Sequence, residues 1–134
     1  MSSFELRQFS RFISIGLVNT LIGLSVIYAV KWIFGLGDFL ANALGYSVGL
    51  LISFSLNSHW TFAYQGPYLS AMFKFVLVAL VAYGMNLLTV MTAIYYVELN
   101  SYFSQALGIP SYTLTSYLGS KYLVFHSKPK HSEL

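Results

Sequence analysis

A chain of 134 residues that is 57% hydrophobic and 8% charged, with a mean hydropathy of +0.67, stands far from the roughly 25% charge of a soluble domain and reads as a membrane protein. Its net charge of +3 comes from basic residues dispersed near helix ends, which argues against a nucleic-acid groove and fits attraction to anionic lipid headgroups. The absence of cysteine leaves the redox compartment unread.

Uncharged runs cover residues 12–30, 39–73, 75–97 and 99–120, each long enough for the ~20 residues, range roughly 17–25, with which a helix crosses the hydrocarbon core. The first predicted helix spans 11–34. Arg7 and Arg11 before it, with Ala41-Asn42-Ala43 after it, imitate a signal peptide. The apolar run is too long for one, however, and Lys31 and Asp38 intervene, so the helix is expected to be retained. Gly16, Asn19, Thr20 and Gly23 share one face of it.

The second predicted helix spans 39–62. Ala41, Gly45, Gly49, Ser53 and Asn57 recur every four residues along it, a small-residue stripe of the kind that lets a neighbouring helix approach. It closes on SFSLNSHWTF, residues 53–62, where an amide, a hydroxyl and an imidazole interrupt the apolar run. Tyr64-Gln65-Gly66-Pro67 then supplies a turn. The third helix is expected over 70–97, with Ala79, Ala82, Asn86, Thr89 and Ala93 on one face. The fourth is expected over 102–125, with Ser104, Gly108, Tyr112, Ser116 and Ser120 in a stripe. Pro110 inside it predicts a kink, and the surrounding hydroxyls make it the most polar of the four.

Arg7, Arg11, Lys74, Lys121, Lys128 and Lys130 fall on one side of this four-helix plan; Lys31, Asp38 and Glu98 fall on the other. The positive-inside rule then makes both termini and the central loop cytoplasmic. Sliding the chain against itself by 63 positions aligns Arg11-Phe12 with Lys74-Phe75, Ala43-Leu44-Gly45 with Ala106-Leu107-Gly108, Ser53 with Ser116 and Phe62 with Phe125. The expected fold is therefore an all-α membrane protein. Its four transmembrane helices form a single domain over 1–134, built as two parallel two-helix repeats with both termini cytoplasmic.

No catalytic constellation is present, and the chain does not read as an enzyme. Glu5 and Glu133 lie near the termini, and Asp38 and Glu98 at outer helix ends, so no carboxylate is expected inside a span to carry protons for an exporter. His59, His126 and His131 lack metal-ligand spacing, and no phosphate-binding loop or other cofactor motif occurs. What remains is a set of cations and hydrogen-bonding groups at the cytoplasmic interface. An anionic headgroup such as a phosphate bearing a sugar would meet Lys or Arg at its charge and Asn, Ser and His at its hydroxyls. Trp60 and neighbouring tyrosines would stack on the ring.

These residues resemble the GtrA-like membrane proteins. The resemblance runs from Arg11-Phe12, Gly16 and Asn19 through Asn42, Gly45-Tyr46, Gly49 and the SFSLNSHWTF block. It continues with Lys74-Phe75 and Asn86 to SKYLVF at 120–125. It departs where many members carry Arg just after the second-helix Asn, here Ser58-His59, and where many carry Asn at Ser116 and Arg near Lys121.

The resemblance implies a multi-pass protein of the bacterial cytoplasmic membrane. Its function would be flippase-like translocation of a polyprenyl-phosphate-linked monosaccharide to the outer leaflet for surface polysaccharide glycosylation, beside membrane glycosyltransferases. On that reading Arg11, Lys74 and Lys121 bind the lipid phosphate. Asn19, Asn57, His59, Trp60, Asn86 and Ser116 face the sugar, and a homo-oligomer thickens the wall of the path. The alternatives are a non-transporting partner that anchors or organises a glycosyltransferase, and a small-molecule exporter.

Overall fold

The computed structural model describes residues 1–126, which are helical with short connections. Lys128, Lys130, His131 and Glu133 lie outside the described residues. The chain divides into two compact units, one ending at Ala63 and one starting at Tyr64; each is a helical hairpin.

In the first hairpin, α1 (Ser3–Phe34) is followed by α2 (Asp38–Leu56), which runs on into a π-helical turn at Asn57–Thr61. α1 starts well before the expected residue 11 because Ser2 and Glu5 form a capping box. The Glu5 N–H donates to the Ser2 hydroxyl at 3.2 Å, and the Ser2 N–H donates to the Glu5 carboxylate at 2.9 Å, so two otherwise orphaned N–H groups are satisfied. It ends at Gly35 in the left-handed conformation, φ 63°, and Lys31 forms an ion pair with Asp38 across the turn. The two helices pack through small residues. A Cβ on Gly45 would lie 2.9 Å from the Gly23 carbonyl oxygen and run into Ile27, and one on Gly49 would lie 2.8 Å from Asn19 Oδ1. Asn19 and Gly23 therefore face α2. Gly16 and Thr20, expected on the same face, are exposed, and nothing lies within 4 Å of a Cβ at Gly16.

In the second hairpin, α3 (Tyr68–Tyr95) leads to α4 (Ser101–Gly119) and a second π-helical turn at Ser120–Val124. Asn100 caps α4, its side-chain oxygen accepting from the Phe103 N–H at 2.8 Å. Gly108 sits against Asn86 and Val90, with 2.7 Å from its would-be Cβ to Asn86 Nδ2, and Gly119 sits against Val78. Near Pro110 the Thr89 and Ser111 hydroxyls are 2.8 Å apart, and Ser111 donates to the Met85 carbonyl at 3.2 Å. In an apolar surrounding such bonds between helices satisfy groups that have no water to turn to.

Local features recur at the offset that aligns the two halves of the sequence. The left-handed residue after the long helix is Gly35 in one hairpin and Glu98, φ 60°, in the other. The π-turns occupy 57–61 and 120–124. Each is closed by a phenylalanine N–H, Phe62 to the Asn57 carbonyl at 2.9 Å and Phe125 to the Ser120 carbonyl at 2.8 Å.

Among the described residues three stretches, Ser3–Phe34, Asp38–Thr61 and Tyr68–Tyr95, are long and apolar enough to cross a membrane. α4 is not among them. Ser104, Gln105, Ser111, Thr113, Thr115 and Ser116 dilute its apolar content, so it forms a helix as expected without the composition of an independent span. Leu17, Leu21, Leu80, Val81 and Leu88 are all exposed. Soluble proteins keep such surfaces small, whereas lipid chains accept them. Trp32 and Phe39 flank the turn of the first hairpin and Tyr95, Tyr96 and Tyr102 that of the second, the placement of interfacial aromatic residues.

Candidate functional site

The polar residues of SFSLNSHWTF build the π-turn of the first hairpin. Asn57 is 1% exposed, and its amide is engaged within its own helix. Nδ2 donates to the Ser53 hydroxyl at 3.2 Å, and Oδ1 accepts from the Thr61 hydroxyl at 2.7 Å. That second bond spans the wider π-helical turn from inside and accounts for an amide and a Thr four residues apart. Ser58 is also buried and donates to the Ser55 carbonyl at 3.0 Å. His59 and Trp60 point outward. His59 Nδ1 lies 2.8 Å from the Ser55 carbonyl oxygen, which fixes the ring orientation, and Trp60 is 49% exposed.

Arg11 reaches this turn from α1. Its Nη1 donates to the Trp60 carbonyl at 3.1 Å, and its guanidinium carbon lies 5.1 Å from the centre of the indole, within the range of a cation–π contact. Beneath them Phe12 meets Phe62 edge to face, centroids 6.3 Å apart. The π-helical geometry turns one residue's main-chain oxygen and ring toward the same arginine. π-turns of this kind occur often at functional sites.

The second hairpin ends on a different cation. Lys121, in the second π-turn, lies 5.3 Å from the centre of the Tyr122 ring and 5.9 Å from that of Tyr117. Phe125 packs on Phe75 at 6.0 Å and on Tyr64 at 5.4 Å. Ser120 takes the position of Asn57 and Val124 that of Thr61, so the internal bond is absent and the buried Ser120 hydroxyl has no hydrogen-bond partner among the described residues. Lys74, aligned with Arg11, is exposed on α3.

Of the predicted site residues, the structure thus brings Arg11, His59 and Trp60 to one end of the first hairpin, with Asn57 buried below them. Lys121 lies at the corresponding end of the second hairpin, and Ser116 is buried about one turn deeper in α4. Asn19 and Asn86 lie farther along the long helices, about 12 Å beyond Arg11 and about 18 Å beyond Lys74 at 1.5 Å per residue, against Gly49 and Gly108. Asn19 Oδ1 is buried without a hydrogen-bond partner among the described residues.

Sequence reasoning used Arg7 for orientation and left Arg7, Tyr117 and Tyr122 out of the site. Arg7 belongs to α1 because the helix starts at Ser3, and the Ser2-x-x-Glu5 pattern was the signal for it. The two tyrosines sit four residues before and one after Lys121, a spacing at which a π-turn gathers them around one ammonium.

Two apolar helical hairpins, each ending in a π-turn that holds a cation on aromatic rings, define a helical membrane protein with interfacial cation sites. The family model described as the GtrA/DPMS transmembrane domain matches residues 11–125, and the chain belongs to this family. Membership links it to the handling of polyprenyl-phosphate sugars. No curated protein matches the chain.

Proposed function

We infer that the protein translocates a polyprenyl-phosphate-linked monosaccharide from the cytoplasmic to the outer leaflet of a bacterial inner membrane, without covalent chemistry. The observation that carries this reading is the pair of ring-held cations, Arg11 on Trp60 and Lys121 on Tyr117 and Tyr122. A phosphodiester leaving water needs a cation already in place, because an unpaired charge in hydrocarbon costs several kcal/mol or more.

In this reading both termini and the central loop are cytoplasmic, α4 crosses the membrane with the other three helices, and the two hairpins are parallel repeats. Arg11 in the first hairpin, and Lys74 and Lys121 in the second, receive the phosphate. Exposed His59 and Trp60 meet the sugar first, Trp60 by stacking its apolar face on the ring. Asn19, Asn57, Asn86 and Ser116, inside the hairpins, contact it only during passage. The prenyl chain stays in lipid, so only the headgroup needs a path. A homo-oligomer completes the wall of that path, and membrane glycosyltransferases make and consume the cargo.

The test is a proteoliposome assay with the purified chain and a labelled lipid-linked monosaccharide, reading the fraction accessible from the opposite leaflet over time. Protein-dependent equilibration across the bilayer is expected. Equilibration no faster than in protein-free vesicles removes the reading.

A further inference from the structure

Beside the Arg11–Trp60 contact lies a shallow depression of about 380 Å³, lined by Ser3, Arg7, Ser10, Arg11, Ser14 and Trp60. This volume is within the range of roughly 300–1,000 Å³ typical of small-molecule sites. Its wall is one stripe of α1, since positions 3, 7, 10 and 14 recur at helical spacing. It exists because the capping box extends the helix back past Arg7. We propose that this depression is a binding site for the phosphate of a lipid headgroup, formed by the first hairpin alone, with Arg7 and Arg11 as its two cations. The proposal deepens the translocation reading and rests on it only for which lipid is bound.

Four observations carry it. Arg11 is already oriented by the Trp60 carbonyl and ring through one of its N–H groups, which leaves further donors of its planar fork for a phosphate. Arg7 lies one turn away in the same wall, and among the described residues neither arginine is in an ion pair. Two guanidiniums one turn apart suit the several acceptor oxygens of a phosphate better than a single carboxylate. Third, the Ser14 hydroxyl donates back to the Ser10 carbonyl at 2.9 Å and is used within the helix. Ser3 and Ser10 are the hydroxyls of the lining left to donate to a ligand oxygen.

The fourth observation is depth. The uncharged run of α1 begins at Phe12, directly after the second arginine, so the depression sits where headgroup phosphates lie. Leu6 and the exposed face of Trp60 border it and give the first carbons of a lipid chain an apolar rest. A free anion would not use that border.

The chain has two tryptophans, Trp32 and Trp60. In a Trp32→Phe background, in nanodiscs of neutral lipid, Trp60 fluorescence reports the site. It is titrated with farnesyl phosphate, phosphatidylglycerol and inorganic phosphate. A saturable response to farnesyl phosphate is expected, weakened at least tenfold by Arg7→Ala and partly restored by Arg7→Lys. Lys31→Ala, at the other end of α1, should leave it unchanged. Ser10→Ala supplies a milder second variant, expected to weaken binding severalfold.

An equal response to phosphatidylglycerol supports the site and makes bulk anionic lipid its source. Binding within twofold of wild type in Arg7→Ala overturns the proposal, as does inorganic phosphate saturating the signal at the same concentration as the lipid. Translocation read on the same protein separates the two ideas. Flipping with Arg7-independent binding overturns the site alone, and Arg7-dependent binding without flipping overturns the transport reading alone.

Discussion

Trp60 holds Arg11 twice, by a main-chain carbonyl at 3.1 Å and by an indole 5.1 Å from the guanidinium carbon. The two contacts separate on mutation. Trp60→Ala keeps the carbonyl and removes the ring, so it should lose about 0.5–1 kcal/mol of cation–π energy and weaken headgroup binding a few-fold. On the proposed reading Arg11→Ala removes a charge-assisted bond to phosphate, about 1.5–3 kcal/mol, and should weaken binding tenfold or more. Calorimetric titration of the two variants with a short-chain prenyl phosphate should give that order; the reverse order would mean that the ring, not the cation, holds the headgroup.

Close approach of the helices makes Gly45 and Gly108 intolerant of a side chain. The Cβ of an alanine would meet the Gly23 carbonyl oxygen at 2.9 Å in one hairpin and Asn86 Nδ2 at 2.7 Å in the other. Overpacking of this kind costs about 1–3 kcal/mol. Gly16→Ala meets nothing within 4 Å and gains helix propensity. Thermal denaturation in detergent should lower Tm for Gly45→Ala and Gly108→Ala and leave it equal or higher for Gly16→Ala.

Glu98 occupies the left-handed position that Gly35 fills in the other hairpin, φ 60° against 63°. A residue with a Cβ is strained there by about 1–2 kcal/mol. Glu98→Gly should therefore raise the stability of the protein by about 1 kcal/mol, and Gly35→Ala should lower it by a similar amount. Unfolding in a denaturing detergent series checks both signs.

Thr61 and Asn57 are bonded to each other at 2.7 Å inside the first π-turn. Thr61→Val removes the donor and should cost about 1 kcal/mol while leaving headgroup binding within about twofold, since neither atom faces outward. If Thr61→Val weakened binding as much as Arg11→Ala at unchanged Tm, the threonine would be a contact rather than a brace.

Much of this was legible in the sequence. Apolar run length placed three of the four helices to within about two residues, and the 63-position offset paired Phe62 with Phe125, whose N–H groups each close a π-turn. The start of α1 was missed because hydropathy sees the apolar core of a helix and not its cap; Ser2 and Glu5 carried that information in polar atoms. The π-turns were not readable from periodicity, because five residues are too few to distinguish a period of 3.6 from a wider one. That difference bears on Asn57. Sequence placed it at the end of a small-residue stripe as a sugar contact, and in the folded chain both ends of its amide are engaged with Ser53 and Thr61. Arg11 and Trp60, 49 residues apart, are joined only by the packing of α1 on the π-turn, which no local pattern encodes.

The most direct test of the central claim is the initial rate at which proteoliposomes containing the purified chain move a labelled polyprenyl-phosphate monosaccharide between leaflets. It is compared among wild type, Lys31→Ala and the double variant Arg11→Ala with Lys121→Ala. The account predicts a protein-dependent rate, unchanged in Lys31→Ala and at least tenfold lower in the folded double variant. A double variant that flips the lipid as fast as wild type would contradict it.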